Sequence, residues 1–221
     1  MFKIDEKKKN VVTAGAILAI FVSIGSLFFT YCDRPPKINL KPFLAIGQIT
    51  AEETSKLLSG KGKVVLVVMD TGKYQSKPLE SQIETFKRTL EKQNGVILVA
   101  IEKLEMNDLM MAGPEMGLPG ELYLKILQQH PDVDAIVSFV GAPRLSDDQI
   151  DELGEKIPKL VAVVGMPMGL KRYFEDQLIQ VAIVPRFEPQ PQGGKKPETL
   201  REWFDQTYTV VTTENYSSLP F

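Results

Sequence analysis

The side chains best suited to meet a ligand gather in five short stretches. They are Asp70-Thr71-Gly72 with Tyr74, Glu102-Lys103, Gly141-Ala142-Pro143-Arg144, Gly165-Met166-Pro167-Met168-Gly169 and Pro185-Arg186. A carboxylate with two guanidiniums suits a hydroxyl-rich or carboxylate ligand, held by charge-assisted and bidentate hydrogen bonds. Asp70, Thr71, Tyr74, Arg144 and Arg186 are therefore the candidate ligand-binding residues. The alternative is structural: Asp70 caps a turn and pairs with an Arg at a solvated rim. Asp70-Thr71-Gly72-Lys73 also has the outline of a phosphoaspartyl nucleophile, but that chemistry needs a second acid two positions on, where Gly72 stands.

Other chemistries lack their parts. His130 is the only histidine, so neither a His-based metal site nor a Ser-His-Asp triad can be assembled. It stands at a helix end beside Pro131, where it suits the helix dipole. Cys32 is the only cysteine, which excludes an intrachain disulfide and a Cys-based metal centre. Gly60-Lys61-Gly62 precedes a strand, whereas a dinucleotide fingerprint follows one, and Gly193-Gly194-Lys195-Lys196 lacks the spacing of a phosphate loop. No catalytic residue, metal ligand or cofactor site is assigned. Met106, Met110, Met111 and Met116 lie in a long loop with Gly113, Pro114, Gly117 and Pro119. Thioethers can ligate Cu(I), but methionine also makes adaptable contacts. With Met166 and Met168 they are the candidate partner-binding residues.

The composition is that of a folded chain: of 221 residues, 43% are hydrophobic and 24% charged. Its net charge of −2 is unevenly spread, since Lys3, Lys7, Lys8 and Lys9 outnumber Asp5 and Glu6 in the first ten residues. The remainder is mildly acidic and has no basic stripe, which argues against nucleic acid as a partner.

Residues 11–32, from Val11 to Cys32, contain no charge. As a helix they would reach about 33 Å, enough for a hydrocarbon core of about 30 Å. Phe28, Phe29 and Tyr31 suit the interface at one end, and Lys7-Lys8-Lys9 flanks the other. The run is longer than a signal peptide's apolar core and offers no small-x-small cleavage site. Lipidation of Cys32 is a further alternative, for which Tyr31 is a poor preceding residue. A retained transmembrane helix is the expectation. The lysines favour a cytoplasmic N-terminus, which implies a single-pass inner-membrane protein with a periplasmic domain, although Arg34, Lys37 and Lys41 weaken the bias. Gly15, Ala19 and Ser23 share one helix face on which two helices could approach closely.

The expected organisation is a cytoplasmic segment 1–10, a transmembrane helix 11–32, a Pro-containing stalk 33–49 and a soluble α/β domain 50–221. Thr50-Ala51-Glu52-Glu53 has the pattern of a capping box and opens a short helix that Gly60 ends. Lys63–Met69 and Val96–Ile101 read as strands buried on both faces. Helices are expected at 79–93, 120–130, 146–156, 170–177 and after Pro197. Further strands are expected at 135–140, 160–164, 180–184 and 208–213. Alternating strands and helices imply a doubly wound, mostly parallel sheet of five to six strands, a three-layer Rossmann-like αβα sandwich.

Three passages carry a resemblance: VVLVVMDTGKY with the following helix and NGVILVAI; ILQQHPDVDAIVSFVGAP; and LGEKIPKLVAVVG. Together they resemble one lobe of the type I periplasmic sugar-binding proteins, a fold shared with the ligand-binding part of LacI-type repressors. The resemblance implies a ligand cleft between two lobes, yet too little chain follows Val184 to build a second. Two functions follow. The first is a membrane-anchored, non-enzymatic binding or scaffolding module that meets a protein partner. The alternative is a small-ligand, sugar-like receptor lobe completed by dimerisation or a partner. An enzyme of hydrolase type ranks third.

Overall fold

Pro42 stands near the start of the unit Leu40–Phe221. In the computed structural model it lies in the first turn of a 17-residue helix, Lys41–Leu57, where the missing N–H costs no hydrogen bond. The model describes residues 6–31, 38–111, 117–154, 157–186 and 196–219, with side chains except those of 6–12, 27–31, 110 and 111. The chain divides into two units, Met1–Asn39 and Leu40–Phe221.

Among the described residues the first unit holds one helix, α1 (Glu6–Tyr31). Ile17, Leu18, Ile20, Phe21, Val22 and Ile24 are exposed along it, as are Gly15, Ala19 and Ser23. Among the described residues no helix is long and apolar enough to cross a membrane. The described side chains, 13–26, cover only about 21 Å of helix axis. The expected span from Val11 to Cys32 runs past them at both ends, and Cys32 lies outside the described residues.

In the second unit the helix just introduced is α2 (Lys41–Leu57). Its sequel is β1 (Gly62–Asp70), α3 (Lys77–Glu91), β2 (Val96–Glu105), α4 (Met106–Met111), β3 (Leu118–Pro119), α5 (Gly120–Gln129), β4 (Ala135–Ser138), β5 (Pro143–Arg144), α6 (Asp147–Asp151), β6 (Lys159–Val163), α7 (Leu170–Glu175), β7 (Val181–Pro185), α8 (Leu200–Thr207) and β8 (Tyr208–Thr212). The stalk expected to 49 is thus helical from Lys41, and the capping box expected at Thr50 is absent. Thr50 is fully buried inside α2, and the Thr54 hydroxyl donates to its carbonyl at 2.7 Å. Ala45, Ile46 and Ile49 share the buried face. The helix ends as the sequence suggests, with Gly60 at φ +78° and its N–H donating to the Ser55 carbonyl.

The main sheet has the order β2-β1-β4-β6-β7-β8. All neighbours are parallel except the last pair, β7 and β8. On β1, Val64, Leu66 and Val68 pack toward Phe86 and Leu90 of α3 and Ala51 of α2. Val65 and Val67 pack on the opposite face with Tyr123 and Ile126 of α5 and Leu170 and Phe174 of α7. Phe204 of α8 joins Ala45 and Ile49 of α2 over Ile183 of β7. A continuous β-branched strand is what such two-sided burial requires. β2 is different: it is the sheet's edge, with Ile97 and Val99 exposed, and so is not buried on both faces as its composition suggested.

Candidate functional site

The connection leaving β1 runs to β2 on one side, and the chain then returns to β4 on the other side of β1. In open α/β sheets this reversal opens a crevice at the carboxyl ends of the two strands. Asp70 ends β1. Its Oδ1 accepts the Gly72 N–H at 2.9 Å, and the Thr71 carbonyl accepts the Tyr74 N–H at 2.9 Å. Gly72 takes φ +54° to close this turn. The turn leaves Tyr74 87% exposed, with its ring offered to solvent.

β4 ends in a second closed turn. Ser138 is fully buried, and its hydroxyl donates to the Gly141 carbonyl at 2.6 Å while accepting the Val140 N–H at 3.3 Å. Gly141 sits at φ +102°. Phe139 meets Phe86 of α3 edge to face, with ring centres 5.5 Å apart. Beyond this turn β5 pairs in parallel with β3, matching Leu118 to Pro143 and Pro119 to Arg144. Gly117 and Gly120 make that pairing possible. A Cβ on Gly117 would stand 3.0 Å from the Ala142 carbonyl oxygen, and one on Gly120 would collide with the Arg144 carbonyl and the Gln149 side chain. Arg144 is thereby held half-buried on β5, in the segment that follows β4, the strand beside β1.

Arg186 is not part of this group. It follows β7, three strand spacings from β1, or about 14 Å. Its Nε donates to the Tyr208 carbonyl at 3.0 Å, tying it to β8. Glu102-Lys103 is not at a strand end either, because β2 continues to Glu105. Glu102 instead meets His130 Nε2 at 2.8 Å and fastens the end of α5 to β2. His130 caps that helix, its N–H donating to the Ile126 carbonyl.

Of the methionines, Met106 begins α4 where a loop was expected, and it is exposed with Met166 and Met168. The side chains of Met110 and Met111, and all of Met116, lie outside the described residues. Gly141 belongs to one of the stretches expected to face a ligand, whereas Ser138 was given no role in the sequence. The available signal was a serine ending an otherwise apolar buried strand, followed three residues on by a glycine.

No protein-family model matches the chain. No curated protein matches it either. Solved structures do. An ABC-transporter solute-binding protein from Burkholderia graminis, in complex with D-arabinose, superimposes with a TM-score of 0.54 at 22% identity, over 80% of this chain and 61% of that one. An arabinose-binding protein from Geobacillus stearothermophilus gives 0.53 at 17%, over 80% and 62%. A putative LacI transcriptional regulator from Bacteroides fragilis gives 0.51 at 12%, again over 80% and 62%. The domain has the type I periplasmic-binding fold. At these identities the likeness speaks for the fold alone, and the chain spans less than two thirds of each neighbour's length. The neighbours are mostly binding proteins rather than enzymes.

Proposed function

We propose that this lobe binds a small, hydroxyl-rich ligand of the sugar class and does no chemistry on it. The observation that carries the reading is the reversal of strand order at β1 and β4, which sets the Asp70–Tyr74 turn beside the Gly141–Arg144 turn. Asp70 keeps acceptor capacity beyond its bond to Gly72, Thr71 adds a hydroxyl, Arg144 adds donors in a fixed fork, and Tyr74 offers a ring for a sugar's apolar face. Neighbours that bind arabinose support this class of ligand over a purely scaffolding role. A second copy or another protein completes the site. Met106, Met166 and Met168 support a partner surface at the same end of the sheet, since exposed thioethers adapt to varied contacts. The uncharged run 11–32 holds the chain in the inner membrane with the domain on the periplasmic side.

The test is calorimetry on the detergent-solubilised full chain with a panel of pentoses and hexoses. Saturable binding of at least one sugar is expected, and Asp70→Ala and Arg144→Ala should each weaken it by about tenfold or more, since each removes a charge-assisted bond. Arg186→Ala should leave it unchanged. A sugar bound equally by all three variants would place the site elsewhere.

A further inference from the structure

The exposed edge of the sheet carries an inference independent of any ligand. Among the described residues β2 pairs on one side only, and Ile97 and Val99 are 61% and 44% exposed there. A strand edge of ten residues is a template for another strand unless something blunts it. Here the blunting is partial. Val64 faces Leu98 and Val65 faces Ala100, so Val99 is an extra residue that bulges the strand. This leaves Val96–Val99 as a short apolar segment bounded by Gly95 and the bulge.

Beside it lies a hollow of about 300 Å³ lined by Lys87, Leu90 and Glu91 of α3 and by Val96, Ile97 and Leu98 of β2. Helix and strand are thus level with each other at this point. Lys87 and Glu91 are both exposed and stand four residues apart, so they lie on one face of α3.

We infer that this edge is where two copies of the chain meet. The β2 strands run antiparallel about a two-fold axis near Ile97 and Leu98, and the hollow of each copy receives the apolar edge of the other. The charges argue for a second copy over a foreign strand. Two α3 helices turned about that axis run antiparallel, which brings Lys87 of each opposite Glu91 of its mate. One surface then supplies both halves of the pair, the self-complementarity a two-fold interface requires.

The experiment is sedimentation of the full chain in mild detergent across a concentration series. The wild type should be dimeric, and Ile97→Arg should make it monomeric with an unchanged circular dichroism spectrum, its melting temperature reduced to that of diluted wild type. Lys87→Glu and Glu91→Lys alone should each weaken the dimer by about fivefold or more, as like charges come together. The exchange K87E/E91K should return the dissociation constant to within about threefold of wild type. Four results would overturn the inference: a monomeric wild type, a dimer indifferent to Ile97→Arg, an exchange no better than the single changes, or a dimer abolished by Gly15→Ile alone.

Discussion

At the scale of single residues, one of the least tolerant positions has no polar chemistry. Gly47 lies where α2 crosses α3, and a Cβ there would collide with the backbone carbonyl of Gln82. Backbone on one side and helix on the other leave no rotamer to relieve the overlap. Gly47→Ala should destabilise the domain by about 1–3 kcal/mol, as overpacking does, although alanine favours a helix. Equilibrium urea unfolding would check it, and a neutral result would mean that the two helices separate easily. Tyr123 provides the pH dependence. Burial raises its phenol above the ordinary 10.0, because a phenolate would be stranded in the core. A folded pKa above the unfolded one gives stability that is complete below pH 10 and is lost as pH rises beyond it. The melting temperature should therefore fall above about pH 10, and Tyr123→Phe should make that fall shallower while changing little at pH 7.

At the scale of elements, what could be read from the sequence was what repeats locally. Lys63–Met69 declared a buried strand because both of its faces needed apolar residues, and Val64 and Val65 do face opposite layers. Gly60, Ser146 and Pro131 marked ends and starts for reasons confined to a few backbone groups. Tertiary context decided the rest. Pro35, Pro36 and Pro42 together suggested a stalk, yet Pro42 sits in a first turn that has no bond to lose, and α2 is then held by Phe204 and by the crossing at Gly47. Val96–Ile101 alone has the composition of a central strand; the charged Glu102, Lys103 and Glu105 that continue it are what an edge strand carries. The β3–β5 pair is two residues long on each strand, too short for any periodicity. The same reasoning locates a testable cap. Thr199 accepts the Glu202 N–H while the Glu202 carboxylate receives the Thr199 N–H, a complete capping box on α8. Thr199→Ala should cost about 1 kcal/mol by urea unfolding. The loss should be felt at Phe204, the residue by which α8 grips α2 and β7.

At the scale of the molecule, the proposed sugar binding needs a source of affinity beyond the lobe Leu40–Phe221 itself. A crevice with one wall buries less of a small ligand than a closed cleft does, so affinity must come from a second wall or from confinement. The proposed anchor provides confinement: two copies held in one membrane meet at an effective concentration far above that of free chains. The edge contact would then be more fully populated in the bilayer than in detergent. The uncharged run 11–32 makes this testable in two steps. The full chain should stay with membranes through alkaline carbonate washing, and deletion of residues 1–37 should release it. A periplasm-dependent phosphatase fused after Phe221 should be active if the three lysines before the helix set the orientation. Recovery of the full chain in the wash would remove both the anchor and the confinement it provides. The lobe's affinity for a sugar would then have to be explained by its own dimer and the residues around Asp70.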